Sequence, residues 1–244
     1  MQACISLGGN MGDVADTFRK TLRQLKNTTG VAHVEASRLY QSVPVGTDAG
    51  RPFLNAAATL DTSLTPIELL RLLQQIENSH QRIRETHWGP RTLDLDLILF
   101  GDQTVATPEL TIPHPHCWYR RFVVDPLAEV APEARHPEFE LSVSQLKDVL
   151  YTNDFHIAVR GPDDLLIRLP ELNRNFSSEF PGVLLLPFSE ANSENSRQIV
   201  VSFLAADETP RPFRLRGRVD TAEQFLRDVL SAARGQVTQV ANFT

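Results

Sequence analysis

The 244-residue sequence predicts an α+β fold. Two observations carry the prediction: short runs with strand-like patterning, and amphipathic helical segments set between them with recognisable start and stop signals. Residues 3–7 (ACISL) form a β-like run that ends in Gly8-Gly9-Asn10, a cluster suited to a tight turn. A helix follows, with Asp13 as N-cap, Phe18, Leu22 and Leu25 at helical spacing and Gly30 as its close. Two β-rich stretches, near 32–43 and 53–62, flank a loop carrying Pro44, Gly46, Gly50 and Pro52 and read as antiparallel neighbours. Thr65, Pro66 and Glu68 form a capping box for a second helix, whose apolar face holds Leu69, Leu72, Leu73 and Ile76. Residues 92–101 (TLDLDLILFG) alternate strictly and read as a central strand.

The order β-α-β-β-α-β most simply gives a ferredoxin-like sheet with both helices on one face. Prolines at 108, 113, 115, 126, 132 and 137 forbid long regular elements in the next segment, which is expected as a loop and short-element cap. A helix near 142–151 would end a first domain, 1–152, that bears any catalytic site. Strand-like IAVRG, VLLLPF and RQIVVSFLAA, then a helix from about Thr221 to Arg234 closed by Gly235, predict a smaller α+β domain or elaboration over 153–244.

Hydrophobic residues make up 41% and charged residues 22%, enough apolar material to bury a core. The net charge of −6 argues against a protein that coats nucleic acid or an anionic membrane. No apolar run approaches a spanning helix, and the opening MQACISLGGNMG lacks the pattern of an export signal, so a cytoplasmic protein is expected. Cys4 and Cys117 form no CxxC pair, which indicates neither a disulfide framework nor a cysteine zinc site.

Asp94 and Asp96 stand at i and i+2 on the predicted strand, so both carboxylates leave one face about 7 Å apart along the chain. Alone this is either a solvated sheet face or a Mg²⁺ site that leaves positions for water and phosphate oxygens. Arg82, Arg84 and Arg91, with Trp88 among them, lie just upstream; guanidinium groups bind phosphate and offset charge in phosphoryl transfer. The set describes a Mg²⁺-nucleotide site. No GxxxxGK[ST] occurs, and Gly8-Gly9-Asn10-Met11-Gly12 is too generic to count as a phosphate cradle. His114 and His116, stiffened by Pro113 and Pro115, lack a third zinc ligand nearby; a single histidine donating to phosphate is the better reading. On composition alone Phe53 and Phe122 are ordinary core candidates and Asn55 an edge-strand polar residue.

SLGGNMGD, FLNAAATLDTSLTPIELL, RIRETHWGPRTLDLDLILFG and LTIPHPHCWYRRFVVDPLAEVAP together resemble the 6-hydroxymethyl-7,8-dihydropterin pyrophosphokinase family over residues 1–152. The resemblance implies a folate-pathway transfer of diphosphate from ATP to a pterin alcohol, with ATP as co-substrate and two Mg²⁺ ions bridged by Asp94 and Asp96. It further implies that Arg82 and Arg91 stabilise the transferring group and that His114 and Arg120 contact phosphate oxygens. Gln74, Glu77, Arg84, Trp88, Leu97 and Thr111 would bind or order the nucleotide. Phe53 and Phe122 would sandwich the pterin ring, Asn55 would read its amide-like edge, and Ser42 with the backbone near Val43 and Val45 would supply the rest. The loops at 44–52 and 82–90 become candidate lids.

Two other readings fit the same residues: a Mg²⁺-dependent nucleotidyl transferase on a ferredoxin-like sheet, and a catalytically lapsed nucleotide- or pterin-binding module. The tail from about 153 lies outside the resemblance. It is expected to pack on the first domain or mediate self-association and to supply no catalytic group, so that a chain ending near Thr152 keeps the metal and pterin sites.

Overall fold

In the computed structural model the described residues are 1–44, 51–80, 91–152, 155–187, 199–202, 214–216 and 221–241. They divide into two units, Met1–Lys147 with Gly235–Thr244, and Asp148–Arg234. The first opens with β1 (Gln2–Gly9), α1 (Val14–Lys26), β2 (Val31–Ala36), β3 (Leu39–Ser42), β4 (Phe53–Thr62), α2 (Pro66–Ser79) and β5 (Asp94–Phe100). Asp13 accepts from the Asp16 amide at 2.9 Å, and Thr65 and Glu68 close the capping box in both directions, so both helices begin where local chemistry directs.

β1 lies between β4 and β5 and is antiparallel to both; β3 and β2 both pair antiparallel with β4. The expected single strand over 32–43 is broken at Ser37-Arg38. There the Ser37 amide donates to the Ala57 carbonyl at 2.9 Å while its hydroxyl accepts from the Ala57 amide at 3.0 Å, so one residue meets both backbone groups of Ala57, and one extra residue is taken up between Ala36 and Tyr40 without the chain leaving β4.

Alternation along the strands separates two faces. Ile5, Leu7, Ala56, Ala58, Leu60, Leu95 and Leu97 pack in one core with Phe18, Leu22 and Leu25 of α1 and Leu69, Leu73 and Ile76 of α2. Each fully buried side chain of this size contributes about 1.5–3 kcal/mol relative to exposure. Ser6, Gly8, Asn55, Asp94 and Asp96 belong to the alternate positions and hence to the opposite face.

Beyond β5 the chain forms β6 (Val105–Ala106), β7 (Thr111–Ile112), α3 (Arg121–Val130), β8 (Arg135–His136), β9 (Leu141–Ser142) and α4 (Val143–Leu150). The proline-rich segment is therefore more regular than expected. α3 is ten residues long despite Pro126, which has no N–H to donate to the Phe122 carbonyl four residues earlier. It packs against β3 and β4. Glu129 accepts from the Arg38 Nε at 2.9 Å and the Tyr40 hydroxyl at 2.7 Å, fastening the helix to β3.

The second unit holds β10 (Phe155–Arg160), α5 (Asp163–Ile167), α6 (Leu169–Ser177), β11 (Val183–Pro187), β12 (Ile199–Ser202), β13 (Arg214–Arg216) and α7 (Ala222–Arg234). Its strands run in the order β11-β10-β12-β13 and all pair in parallel. Among the described residues α5 and α6 lie between β10 and β11, and α7 follows β13. Parallel neighbours need crossovers, and α5 with α6, whose Leu165, Leu169, Leu172 and Phe176 are buried, supply the first one. The second unit begins at Asp148, within α4, and the chain does not stay in it: β14 (Val237–Ala241) pairs antiparallel with β3 in the first sheet. No described helix is long and apolar enough to cross a membrane.

His136 is buried, its ring stacks on Phe139 at 3.9 Å, and its Nδ1 has no hydrogen-bond partner among the described residues. Burial pushes this imidazole down to about 4, below its ordinary value of 6.5. Between those two pH values the unfolded chain binds the extra proton, so this residue's contribution is complete above pH 6.5 and is lost as pH falls toward 4. The full effect is on the order of 3 kcal/mol. Urea unfolding across this range should show the loss, and His136→Leu should flatten it; an unchanged acid slope in that variant would reject the assignment.

Candidate active site

Pairing across three strands sets Asn55 of β4, Gly8 of β1 and Asp94 of β5 side by side, with Ala57, Ser6 and Asp96 in the row below. Gly8 carries no side chain, and a Cβ built there would lie 3.7 Å from the Asn55 Oδ1 and 3.8 Å from the Asp94 Cβ. The absent side chain thus leaves a gap between an amide oxygen and a carboxylate on one sheet face.

Asn55 is buried and its orientation is fixed. Its Nδ2 donates to the Ser42 hydroxyl at 2.9 Å and to the Tyr40 carbonyl at 3.4 Å. The Tyr40 carbonyl can only accept, and of the two amide ends only the nitrogen donates, so the Oδ1 is the end turned to the Gly8 gap. Phe53 stands two residues earlier on the same face of β4, half-buried, and Phe122 lies in the first turn of α3, which packs on that strand. Ser42 is buried, whereas the Val43 side chain is 61% exposed and can offer the site little beyond its backbone.

Asp94 and Asp96 are half-buried on β5. Arg91 forms an ion pair with Asp94. Its backbone is held from the other side: the Arg91 amide donates to the Asn10 Oδ1 at 2.8 Å, and the Arg91 carbonyl accepts from the amides of Asn10 at 2.8 Å and Met11 at 3.1 Å. A Cβ on Gly9 would fall 2.8 Å from the Thr92 carbonyl, so only glycine allows this approach. The Gly8-Gly9-Asn10 segment, expected as a turn, instead continues β1 through Gly9 and anchors Arg91. Asn10 was not singled out in the sequence; its only signal there is its place in that segment, directly after the strand that precedes the acidic one in space.

Glu77 is buried on α2 and accepts from the Leu95 amide at 2.9 Å, between the two aspartates. It thereby fixes β5 where the carboxylates emerge, a role distinct from the expected contact with nucleotide. Gln74 is exposed one turn earlier. Leu97 differs from expectation: its side chain is 3% exposed in the helix-covered core, on the face away from Asp96, so only its backbone is available to a ligand. Thr111 is exposed on β7.

The His114 amide donates to the Ile98 carbonyl at 3.0 Å, which sets this loop against β5. Burial first, then the Arg120 guanidinium, push the His114 imidazole down to about 4, with Asp94 opposing them. The ring is neutral at pH 7. Its Nδ1 accepts from the His116 amide at 3.3 Å, which assigns the proton to Nε2 and makes that nitrogen a neutral donor. The Arg120 guanidinium carbon is 5.8 Å from the Phe122 ring centre, linking the His114 side to the aromatic side. Beneath them the buried Cys117 thiol is pushed up to about 12, chiefly by desolvation, and is no nucleophile. The structure brings together Arg91, Asp94, Asp96, His114 and Arg120, and sets Ser42, Phe53 and Asn55 across the gap, with Phe122 in the first turn of α3; Val45, Arg82, Arg84, Trp88, the whole of the 82–90 candidate lid and residues 45–50 of the other lie outside the described residues.

Residues 4–132 match the family model of 7,8-dihydro-6-hydroxymethylpterin-pyrophosphokinase (HPPK). The chain belongs to the HPPK family. Among relatives named 2-amino-4-hydroxy-6-hydroxymethyldihydropteridine pyrophosphokinase, that of Bacillus subtilis is 44% identical over 128 residues, covering 52% of this chain and 77% of the relative. The Pseudomonas aeruginosa relative is 41% identical over 134 residues, covering 55% and 83%. A crystal structure of Plasmodium falciparum HPPK-DHPS aligns at TM-score 0.49 with 12% identity, over 83% of this chain and 64% of that one. The HPPK match ends well before the parallel sheet of the second unit.

Glu77 gives a direct test of how β5 is held. Glu77→Leu leaves the buried Leu95 amide without its acceptor and should cost about 1–3 kcal/mol in urea unfolding, with Glu77→Gln losing less because a carbonyl oxygen remains. Equal stability of Glu77→Leu and wild type would refute the anchoring role.

Proposed function

We propose that this chain transfers diphosphate from ATP to the hydroxyl of 6-hydroxymethyl-7,8-dihydropterin, releasing AMP, on a ferredoxin-like antiparallel core formed by β1 to β5 with α1 and α2. The observation that carries the reading is the Asn55–Gly8–Asp94 row. It sets an amide oxygen able to accept from the edge of a flat heterocycle beside carboxylates suited to a metal-nucleotide, with room between them.

Asp94 and Asp96 are hard oxygen donors on one face and half-open to solvent, a donor set that fits Mg²⁺. When bound, Mg²⁺, taken here as two ions, supplies neutralisation of the phosphate charge. Phe53 and Phe122 flank the pterin and Asn55 reads its edge, so the hydroxymethyl group is directed toward the aspartates. The hydroxyl oxygen attacks the β-phosphorus as the bond from that phosphorus to the α,β-bridging oxygen breaks, the bonding pair leaving with AMP and the hydroxyl proton passing to solvent. Arg91, Arg82 and Arg120 stabilise the charge that develops, and His114 donates from Nε2 to a phosphate oxygen rather than serving as base. Arg84, Trp88, Gln74 and Thr111 complete the nucleotide side.

The decisive measurement is AMP release from Mg-ATP with and without the pterin alcohol. Release that depends on the pterin supports the transfer; pyrophosphate release without pterin consumption would favour nucleotidyl transfer instead. Asp94→Ala and Asp96→Ala should each lower turnover by about a hundredfold or more. Near-normal Mg²⁺-dependent rates in either variant would overturn the metal assignment.

A further inference from the structure

We propose that β14, which lies beyond the HPPK match, positions the pterin side of the site, an inference that rests on the functional reading above. β14 is hydrogen-bonded to β3, with Val237 opposite Ser42 and Gln239 opposite Tyr40. Those two β3 residues are the ones that orient Asn55, Ser42 through its hydroxyl and Tyr40 through its carbonyl. Without β14, β3 would be the outer strand of the sheet, free to fray at the end where Ser42 sits.

A second tie meets the start of α3. The Gly235 carbonyl, two residues before β14, accepts from the Arg121 Nη1 at 3.1 Å. Arg121 also pairs with the buried Asp125 at 3.5 Å, so its guanidinium is held between the helix and the incoming strand. It stands between Arg120 and Phe122 at the start of α3. One segment of chain therefore fixes both the strand that aims Asn55 and the helix turn that carries Phe122. Neither tie reaches Asp94, Asp96 or His114, and the strand pairing touches only the Asn55 side; on the phosphate side only Arg120, beside Arg121, shares the second tie. This replaces the expectation that a chain ending near Thr152 keeps the pterin site intact.

The test uses the full chain and the AMP-release assay. Successive amides of a strand point to opposite sides, so Val237→Pro/Thr238→Pro removes whichever one faces β3. The expected result is a rise in the pterin KM of about tenfold or more with the ATP KM unchanged, since small displacements of binding groups are felt strongly. A pterin KM equal to wild type, or a parallel rise in both constants, would overturn the positioning role. Hydrogen exchange on the wild-type chain provides a readout that needs no variant: pterin with a nonhydrolysable ATP analogue should slow exchange in β14 and β3 but not in β10. Unchanged exchange in β14 would likewise overturn it. Absence of pterin-dependent AMP release in the wild type would instead reject the functional reading, so the two failures are told apart.

Discussion

The alignment of β4, β1 and β5 is the constraint on which the rest of the site depends. In an antiparallel sheet a shift of one residue turns every side chain to the other face. A slip of β5 by one position would bury Asp94 and Asp96 among the leucines packed under α1 and α2 and expose Leu95 and Leu97. Desolvating two carboxylates in that core costs far more than any local adjustment regains, so the apolar face and the acidic face enforce each other. Glu77 contributes at the same point by holding the Leu95 amide, and Asn10, directly after β1, contributes by holding the Arg91 backbone. The glycine at position 8 then has meaning only because this alignment is kept: it is the gap between Asn55 and Asp94.

Electrostatics divide the site in a complementary way. Arg91 and Arg120 supply permanent positive charge near the aspartates, while burial keeps His114 neutral, so the histidine adds a directed donor without adding charge. Across the gap the groups are uncharged: an amide, a hydroxyl and the Phe53 ring. The polyphosphate and flat heterocycle proposed as ligands make these two different demands, and the sheet offers the two sets on strands either side of β1.

Much of the first unit was legible in the sequence because its signals are local. The Thr65 capping box, the Asp13 cap and the alternation of 94–97 each act within a few residues and reappear in the structure; beyond Leu97 every residue of β5 is buried, and the strand expected at the centre ends the sheet's order instead. The DxD pair was legible for the same reason. What escaped was long-range or ran against a local rule. α3 forms in spite of Pro126, because burial of Val123, Val124 and Leu127 outweighs one missing backbone bond. The inward turn of Leu97 follows from strand parity and was legible, but the family resemblance drew it into the site. Helices α5 and α6 carry an apolar spacing that could have been read, and with them the parallel sheet. The return of residues 237–241 to the first sheet had no local signal at all, since VTQVA reads as a strand anywhere.

That return has a bearing on how the protein is made. β3 emerges from the ribosome early, yet the partner that covers it follows about 200 residues later, an interval of roughly 10–40 s at ordinary translation rates. The parallel unit is synthesised entirely within that interval, and its Arg234 closes on the carbonyls of Leu150 and Thr152, at 2.9 and 2.8 Å, just before β14 begins. Throughout, the nascent first sheet presents an uncapped rim to other chains on the same polysome, so the crowding of neighbouring ribosomes, rather than the stability of the finished molecule, sets its exposure to mispairing.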